Sequence, residues 1–230
     1  STIHERSLQR TVFKPYVRQL IRFFDGFLSA GTASTEYLKS LGAKKNIEIF
    51  YNTVDVDHFM REGLMSHHER NRERAKHGLK PGAKILLFSG RLVPIKKVDM
   101  LIKAFNAMGA ENNDLELLIV GYGPEEAKLK ELSRGDARIR FLGHRDVKEI
   151  PRLYGMCDIL VLPSIEETWG LVVNEAMACG CAVVVSDRCG SSRDLVSGNG
   201  IVFEGGNQAA LIEALRSILC SESRLREMRR

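Results

Sequence analysis

Residues 159–187 read ILVLPSIEETWGLVVNEAMACGCAVVVSD. Two apolar, β-branched runs, Ile159–Ser164 and Ala182–Asp187, bracket a segment with helical spacing from about Leu171 to Ala178. A run that is apolar at nearly every position has no face for water, so each predicts a strand covered on both sides. Strand, helix and strand in so short a span is the unit of a parallel sheet.

The same alternation extends outward. Lys84–Gly90 (KILLFSG), Leu115–Gly121 (LELLIVG), Arg138–Gly143 (RIRFLG) and Gly200–Glu204 (GIVFE) read as strands. Asp99–Ala110, Glu125–Arg134, Val147–Met156 and the stretch from Gln208 to the end read as helices. Repeated strand–helix units give an open, doubly wound α/β domain of Rossmann-like form. Ligands of such sheets lie outside the carboxyl ends of the strands. The loops after Gly90, Gly121, Gly143, Ser164 and Asp187 therefore form one rim, where chemistry is to be sought.

The first 80 or so residues differ. Asp25–Gly31 and Asn46–Asn52 read as short strands around a helix at Thr32–Leu41, with Thr32 and Thr35 as possible caps. Asn52–Met60 reads as a linker, and Ser66–Gly78 as a polar helix broken by Lys80-Pro81-Gly82. So little material cannot close its own core, so it is read as the end of a preceding domain. The expected division is a remnant and hinge at 1–60, a linker and helix at 61–82, the main domain at 83–220 and a helical extension at 221–230. The chain starts without a methionine and inside a helix-like pattern, which reads as a cut end.

Composition narrows the class. The 230 residues are 44% hydrophobic and 27% charged, an ordinary globular balance. A net charge of +5 suits polyanionic ligands or an acidic membrane surface. No basic array with interleaved aromatics is present, so nucleic acid is not an expected partner. Four of the five cysteines, Cys157, Cys179, Cys181 and Cys189, lie in or beside apolar stretches, and no C-x-x-C pair occurs. Reduced, buried thiols in a cytoplasmic protein are expected. No apolar run is long enough to span a bilayer, and Ser1–Arg10 has no signal-peptide core.

Two stretches on the rim carry chemistry. In Glu167-Thr-Trp-Gly-Leu-Val-Val-Asn-Glu175, one carboxylate precedes the helix and another lies within it. The helix opens at Gly170, Leu171 and Val172, where backbone N–H groups and the helix dipole favour an anion such as a diphosphate. Carboxylates flanking that point can accept hydrogen bonds from ribose or sugar hydroxyls. In Gly90-Arg91-Leu-Val-Pro-Ile-Lys96-Lys97, an arginine fork and a lysine point charge can clamp a diphosphate and stabilise it as a leaving group.

GRLVPIKK, ETWGLVVNEAMACG and VVVSD together resemble the donor domain of glycosyltransferase family 4, a GT-B family of retaining sugar transferases. GYGP at 121–124, RIRFLGHR at 138–145, LPS at 162–164 and GIVFEGGNQAALIEAL at 200–215 match it in order and spacing, and coverage runs from about Asp25 to Leu219. The resemblance implies that Arg91, Lys96, Gly170, Leu171 and Val172 bind the donor diphosphate. It implies that Glu175 holds the ribose, that Glu167 contacts the transferred sugar as the catalytic carboxylate, and that Leu142, Gly143 and His144 border the base. It further implies metal-independent transfer with no cofactor beyond the nucleotide-sugar donor, and a glycan or lipid-linked acceptor held by a domain upstream. This portion alone would bind donor and transfer little. Two departures stand out: Lys97 and Thr168 occupy positions where the family often has glycine.

A non-catalytic nucleotide-sugar-binding module fits the same residues. A GT-B sugar-nucleotide epimerase lacks the GRLVP-x-KK and ETWG combination. Gly121-Tyr-Gly123-Pro lacks the third glycine of a dinucleotide turn, which disfavours NAD. No histidine has metal-ligand spacing, and His67-His68 reads as a polar helix start. Residues 7–24 form a basic amphipathic helix, with Pro15 as an alternative start. Contact with anionic lipid is one role for it; packing against protein is the preferred one.

Overall fold

The computed structural model describes residues 8–44, 46–109 and 114–229. Along the chain run α1 (Leu8–Leu20), β1 (Phe27–Ser29), α2 (Thr32–Leu41), β2 (Ile47–Ile49), α3 (Val56–Gly63) and α4 (His67–Lys76). There follow β3 (Lys84–Ser89), α5 (Val98–Met108), β4 (Leu115–Val120), α6 (Glu126–Leu132), β5 (Ile139–Gly143), α7 (Ile150–Met156) and β6 (Ile159–Leu162). The chain continues with α8 (Leu171–Ala178), β7 (Ala182–Ser186), α9 (Ser192–Leu195), β8 (Gly200–Phe203), α10 (Gln208–Leu219) and α11 (Glu222–Met228).

β3 to β8 form one parallel sheet in the order β5-β4-β3-β6-β7-β8. Every residue of β4, β6 and β7 is buried, as expected of a sheet covered on both faces. The order reverses between β3 and β6: successive strands run one way from β3 and the other way from β6. Their carboxyl ends therefore diverge into a crevice, the topological switch point of such sheets. Ile165 N–H donates to Ile95 O at 2.9 Å, joining the loops after β6 and β3 across it.

β1 and β2 form a separate two-stranded parallel sheet around α2, with a small core of Ile21, Leu41 and Ala43. The stretch read as a linker runs into α3 from Val56 onward, because the Asp55 side chain accepts from His58 N–H and starts a helix. Phe59 on α3 then joins the main core against Tyr154, a tertiary contact that local sequence does not reveal. The Ser66/Glu69 capping box starts α4, so His67-His68 is a helix start.

Three local readings need correction. Pro15 lies inside α1 and does not begin it. The C-terminal helix breaks at Cys220–Ser221, where the Ser221 hydroxyl accepts from Arg224 N–H and starts α11. Neither Thr32 nor Thr35 caps α2: its N-cap is Gly31, and Thr35 donates back to Gly31 O. Ser7, the first residue of the basic amphipathic stretch, lies outside the described residues. Further along it, Phe13, Tyr16, Leu20, Phe23 and Phe24 are exposed.

Candidate functional site

The loop after β3 brings Arg91 to the switch point. Its side chain is exposed, and among the described residues no carboxylate pairs with it. Pro94–Lys96 make one 3-10 turn, which lifts Lys96 back over the crevice. Lys97 closes the turn at φ +52°, a left-handed conformation that glycine adopts more readily.

On the facing loop, Glu167 is held by its backbone: Glu167 N–H donates to Arg188 O, and Gly190 N–H donates to Glu167 O at 2.9 Å. Its carboxylate forms an ion pair with Lys96, both side chains being more than four-fifths buried. The structure thus joins the loops at residues 90–97 and 163–170 by side chains through the Lys96–Glu167 pair, beside the Ile165–Ile95 backbone bond. Gly170 follows at φ +87° as the N-cap of α8, with no side chain capping the helix. A Cβ there would come within 2.9 Å of Cys189 Sγ and 3.0 Å of a Leu162 methyl, so the turn into Leu171 and Val172 depends on glycine. The helix start is left with its dipole facing the rim.

Glu175 lies one turn into α8 and accepts from the Tyr154 hydroxyl at 2.8 Å. Burial pushes its carboxyl up, and the tyrosine bond only partly opposes that. Tyr154 is fully buried, so Glu175 is oriented from within the core.

Beyond Arg91 the rim holds a hollow of about 290 Å³, lined among others by Ser89, Gly90, Arg91, Tyr122, His144 and Arg145. His144 meets Tyr122 edge to face at 5.5 Å. Leu142 and Gly143, half-buried at the end of β5, do not line it. Tyr122 and Arg145 do, and sequence reasoning passed over both; an aromatic on a rim loop was the available signal. Gly121 has a structural reason: a Cβ there would stand 1.9 Å from Gly90 O, so the β3 and β4 loops pack backbone to backbone. Larger hollows exist, one of about 540 Å³ between α1 and α2, but that one lacks opposed charges and lies away from the rim.

All of the cysteine residues are free thiols, and four are buried. Burial pushes Cys189 up to about 11 and Cys181 up to about 12, which makes them poor nucleophiles at neutral pH. No helix among the described residues is long and apolar enough to cross a membrane.

The arrangement has known counterparts. The family model of glycosyl transferases group 1 matches residues 69–230. The D-inositol 3-phosphate glycosyltransferase of Rhodococcus erythropolis is 31% identical over 172 residues, covering 70% of this chain and 39% of that protein. The GDP-mannose-dependent monoacylated alpha-(1-6)-phosphatidylinositol monomannoside mannosyltransferase of Corynebacterium glutamicum is 28% identical over 191 residues, covering 80% of this chain and 49% of its own length. The chain thus spans less than half of either relative. Among solved structures, Anabaena Alr3699/HepE in complex with UDP matches with a TM-score of 0.81 and 23% identity, covering 96% of this chain and 61% of that one. The fold is therefore shared, and with a family model that matches more than two thirds of its length the chain belongs to the group 1 glycosyl transferases.

Proposed function

We propose that the chain is the donor-binding portion of a retaining glycosyltransferase that moves a sugar from a nucleoside-diphosphate sugar to a glycan or lipid-linked acceptor. One observation carries this reading: Arg91, the Lys96–Glu167 pair and the uncapped start of α8 converge on the switch point of the sheet. Two cations on one wall of a crevice and a helix start on the facing wall suit a diphosphate between them. Glu175 is assigned to the ribose and Glu167 to the transferred sugar. The hollow beside Tyr122 and His144 is assigned to the base.

In this scheme the bond from the sugar's anomeric carbon to phosphate breaks, and a bond to an acceptor hydroxyl oxygen forms on the same face. The hydroxyl proton passes to the departing phosphate oxygen. Arg91 and Lys96 stabilise the charge that grows on the leaving diphosphate, without a metal ion. Donor binding would turn Lys96 toward phosphate and free Glu167 for the sugar. The relatives differ in nucleotide: one is named for GDP-mannose, and the Anabaena protein was solved with UDP. UDP and GDP therefore both belong in the test. The exposed face of α1 is assigned to protein packing, with anionic lipid as the alternative; sedimentation with anionic vesicles separates the two.

Thermal unfolding with UDP, GDP, ADP and NAD tests the donor reading. A ligand that binds only the folded state raises the midpoint, by about 2.7 kcal/mol of stability at a hundred times Kd. UDP or GDP is expected to do so, and ADP and NAD are not. Stabilisation by NAD alone, or by none of the four at millimolar concentration, would sink the reading. On the same reading the 230 residues transfer little sugar by themselves, and robust transfer by this chain would contradict it.

A further inference from the structure

The start of α2 has no cap of its own. Gly31 supplies no side chain, yet the first turn is not left open: the Asp194 carboxylate, 162 residues away, accepts from Thr32 N–H at 3.0 Å and from the Thr32 hydroxyl. A carboxylate at a helix N-terminus satisfies an orphan donor and meets the positive end of the dipole. Arg193, next to it, pairs with Glu36 on α2 at 2.7 Å. Gly31 sits at φ +90°, and a Cβ there would stand 2.4 Å from the Trp169 ring and 2.6 Å from Asp194 Oδ2.

The residues leading into α9, which carries Asp194, make the contacts that hold Glu167 and Trp169. Gly190 N–H donates to Glu167 O, Ser191 N–H to Trp169 O at 3.1 Å, and the Cys189 thiol to the same carbonyl at 3.0 Å. On the other side, the Trp169 indole N–H donates to Asn174 Oδ1 at 3.0 Å, and Asn174 Nδ2 donates to Asn52 O at 3.3 Å. Residues 165–174, the segment assigned above to sugar and diphosphate, are thus tied to residues 31–52 at two separate points.

We propose that Asp194 is a positioning residue that latches α2 onto the loop bearing Glu167 and the start of α8, so that occupancy of the donor site is transmitted to α2. This rests on the donor reading above. A tight Gly31–Trp169 contact leaves little room for the loop to shift without moving α2, because close-packed contacts transmit displacement.

The experiment is amide hydrogen exchange of the 230-residue chain, with and without UDP or GDP, in the parent, Asp194→Ala and Thr32→Val. Trp169, the only tryptophan, reports nucleotide binding independently by its fluorescence. Without nucleotide, Asp194→Ala should exchange about five- to thirtyfold faster at the first-turn amides of α2, the factor that loss of a helix cap produces, and Thr32→Val, which loses only the hydroxyl bond, should exchange faster by a smaller factor. With nucleotide, those amides should become more protected in the parent and not in Asp194→Ala, although nucleotide still changes Trp169 emission in both. Thr32→Val, which keeps the Thr32 N–H bond, guards against a fold lost in Asp194→Ala. Unchanged exchange in both variants would overturn the latch. Nucleotide binding that leaves α2 protection unchanged in the parent would overturn the coupling and spare the donor reading. If neither nucleotide alters Trp169 emission or the unfolding midpoint, the donor reading fails, and the coupling fails with it.

Discussion

The two ends of the six-stranded sheet carry charge in opposite ways. At the amino end, Asp158 is almost fully buried and pairs with Arg70, Arg74 and Arg229 at 2.8 to 2.9 Å, and it also accepts from Ile85 N–H. Arg70 and Arg74 donate in turn to carbonyls at the end of α7, where the helix dipole is negative. Burial pushes the Asp158 carboxyl upward, and the three guanidiniums more than offset that, leaving it below its usual range. At the carboxyl end, Arg91 has no carboxylate partner among the described residues, Lys96 and Glu167 have chiefly each other, and Glu175 is held uncomfortably by burial. The first cluster is architecture, since its groups are already matched by the fold. The second leaves bonding capacity toward the crevice, as a site for an external ligand must.

Mutation should separate the two ends. The largest expected effect is Asp158→Ala, which leaves three crowded guanidiniums and the Ile85 N–H without their acceptor. It should cost about 3–5 kcal/mol in urea unfolding, if the chain folds at all. Arg91→Ala should change stability by no more than about 0.5 kcal/mol, as an exposed substitution does. It should nonetheless weaken nucleoside-diphosphate binding by about 1.5–3 kcal/mol, the worth of a charged hydrogen bond, read by titration calorimetry. A stable Asp158→Ala, or an Arg91→Ala chain that binds nucleotide normally, would erase the contrast.

The main sheet was legible because its strands are apolar at nearly every position, Lys84, Glu116 and Arg140 notwithstanding, and Leu171–Ala178 matches α8 without adjustment. The rim loops followed from the parallel strand–helix alternation, which puts every strand's carboxyl end on one side. What escaped the sequence was long-range. The start of the short α3 hides in NTVDVDHFM, whose alternation masks a helix that the Asp55 cap begins and Phe59 packing on Tyr154 holds in place. The Thr32 hydroxyl looked like a cap, but the cap comes from Asp194, which no local pattern can announce. Lys96 and Glu167 were each read as ligand groups, but their pairing across the crevice depends on β3 and β6 lying side by side. Tyr122 reads only as part of an incomplete dinucleotide turn, because its place in the hollow depends on β5 bringing His144 beside it; the flanking Gly121 and Gly123 serve close backbone approach to the β3 loop.

Two smaller effects sharpen the comparison at the rim. Lys97→Gly should relieve a left-handed backbone that costs a non-glycine residue about 1 kcal/mol, visible as a higher unfolding midpoint. Glu175→Gln should have a small effect on stability, below about 1 kcal/mol, and the most telling sign. Because burial raises the Glu175 carboxyl in the folded chain, folding favours its protonated form. That contribution is fully present below the ordinary glutamate value of 4.5 and is lost as pH rises through the raised one. Glutamine imitates the neutral acid and can still accept from the Tyr154 hydroxyl. The variant should therefore be more stable than the parent at pH 7 to 8, with the difference vanishing near pH 4 in thermal unfolding followed across pH. It should also bind nucleotide more weakly, since a neutral amide is a poorer acceptor for ribose hydroxyls than a carboxylate. A residue whose replacement stabilises the fold while weakening the ligand is kept for the ligand, which is the property that the Asp158 cluster lacks.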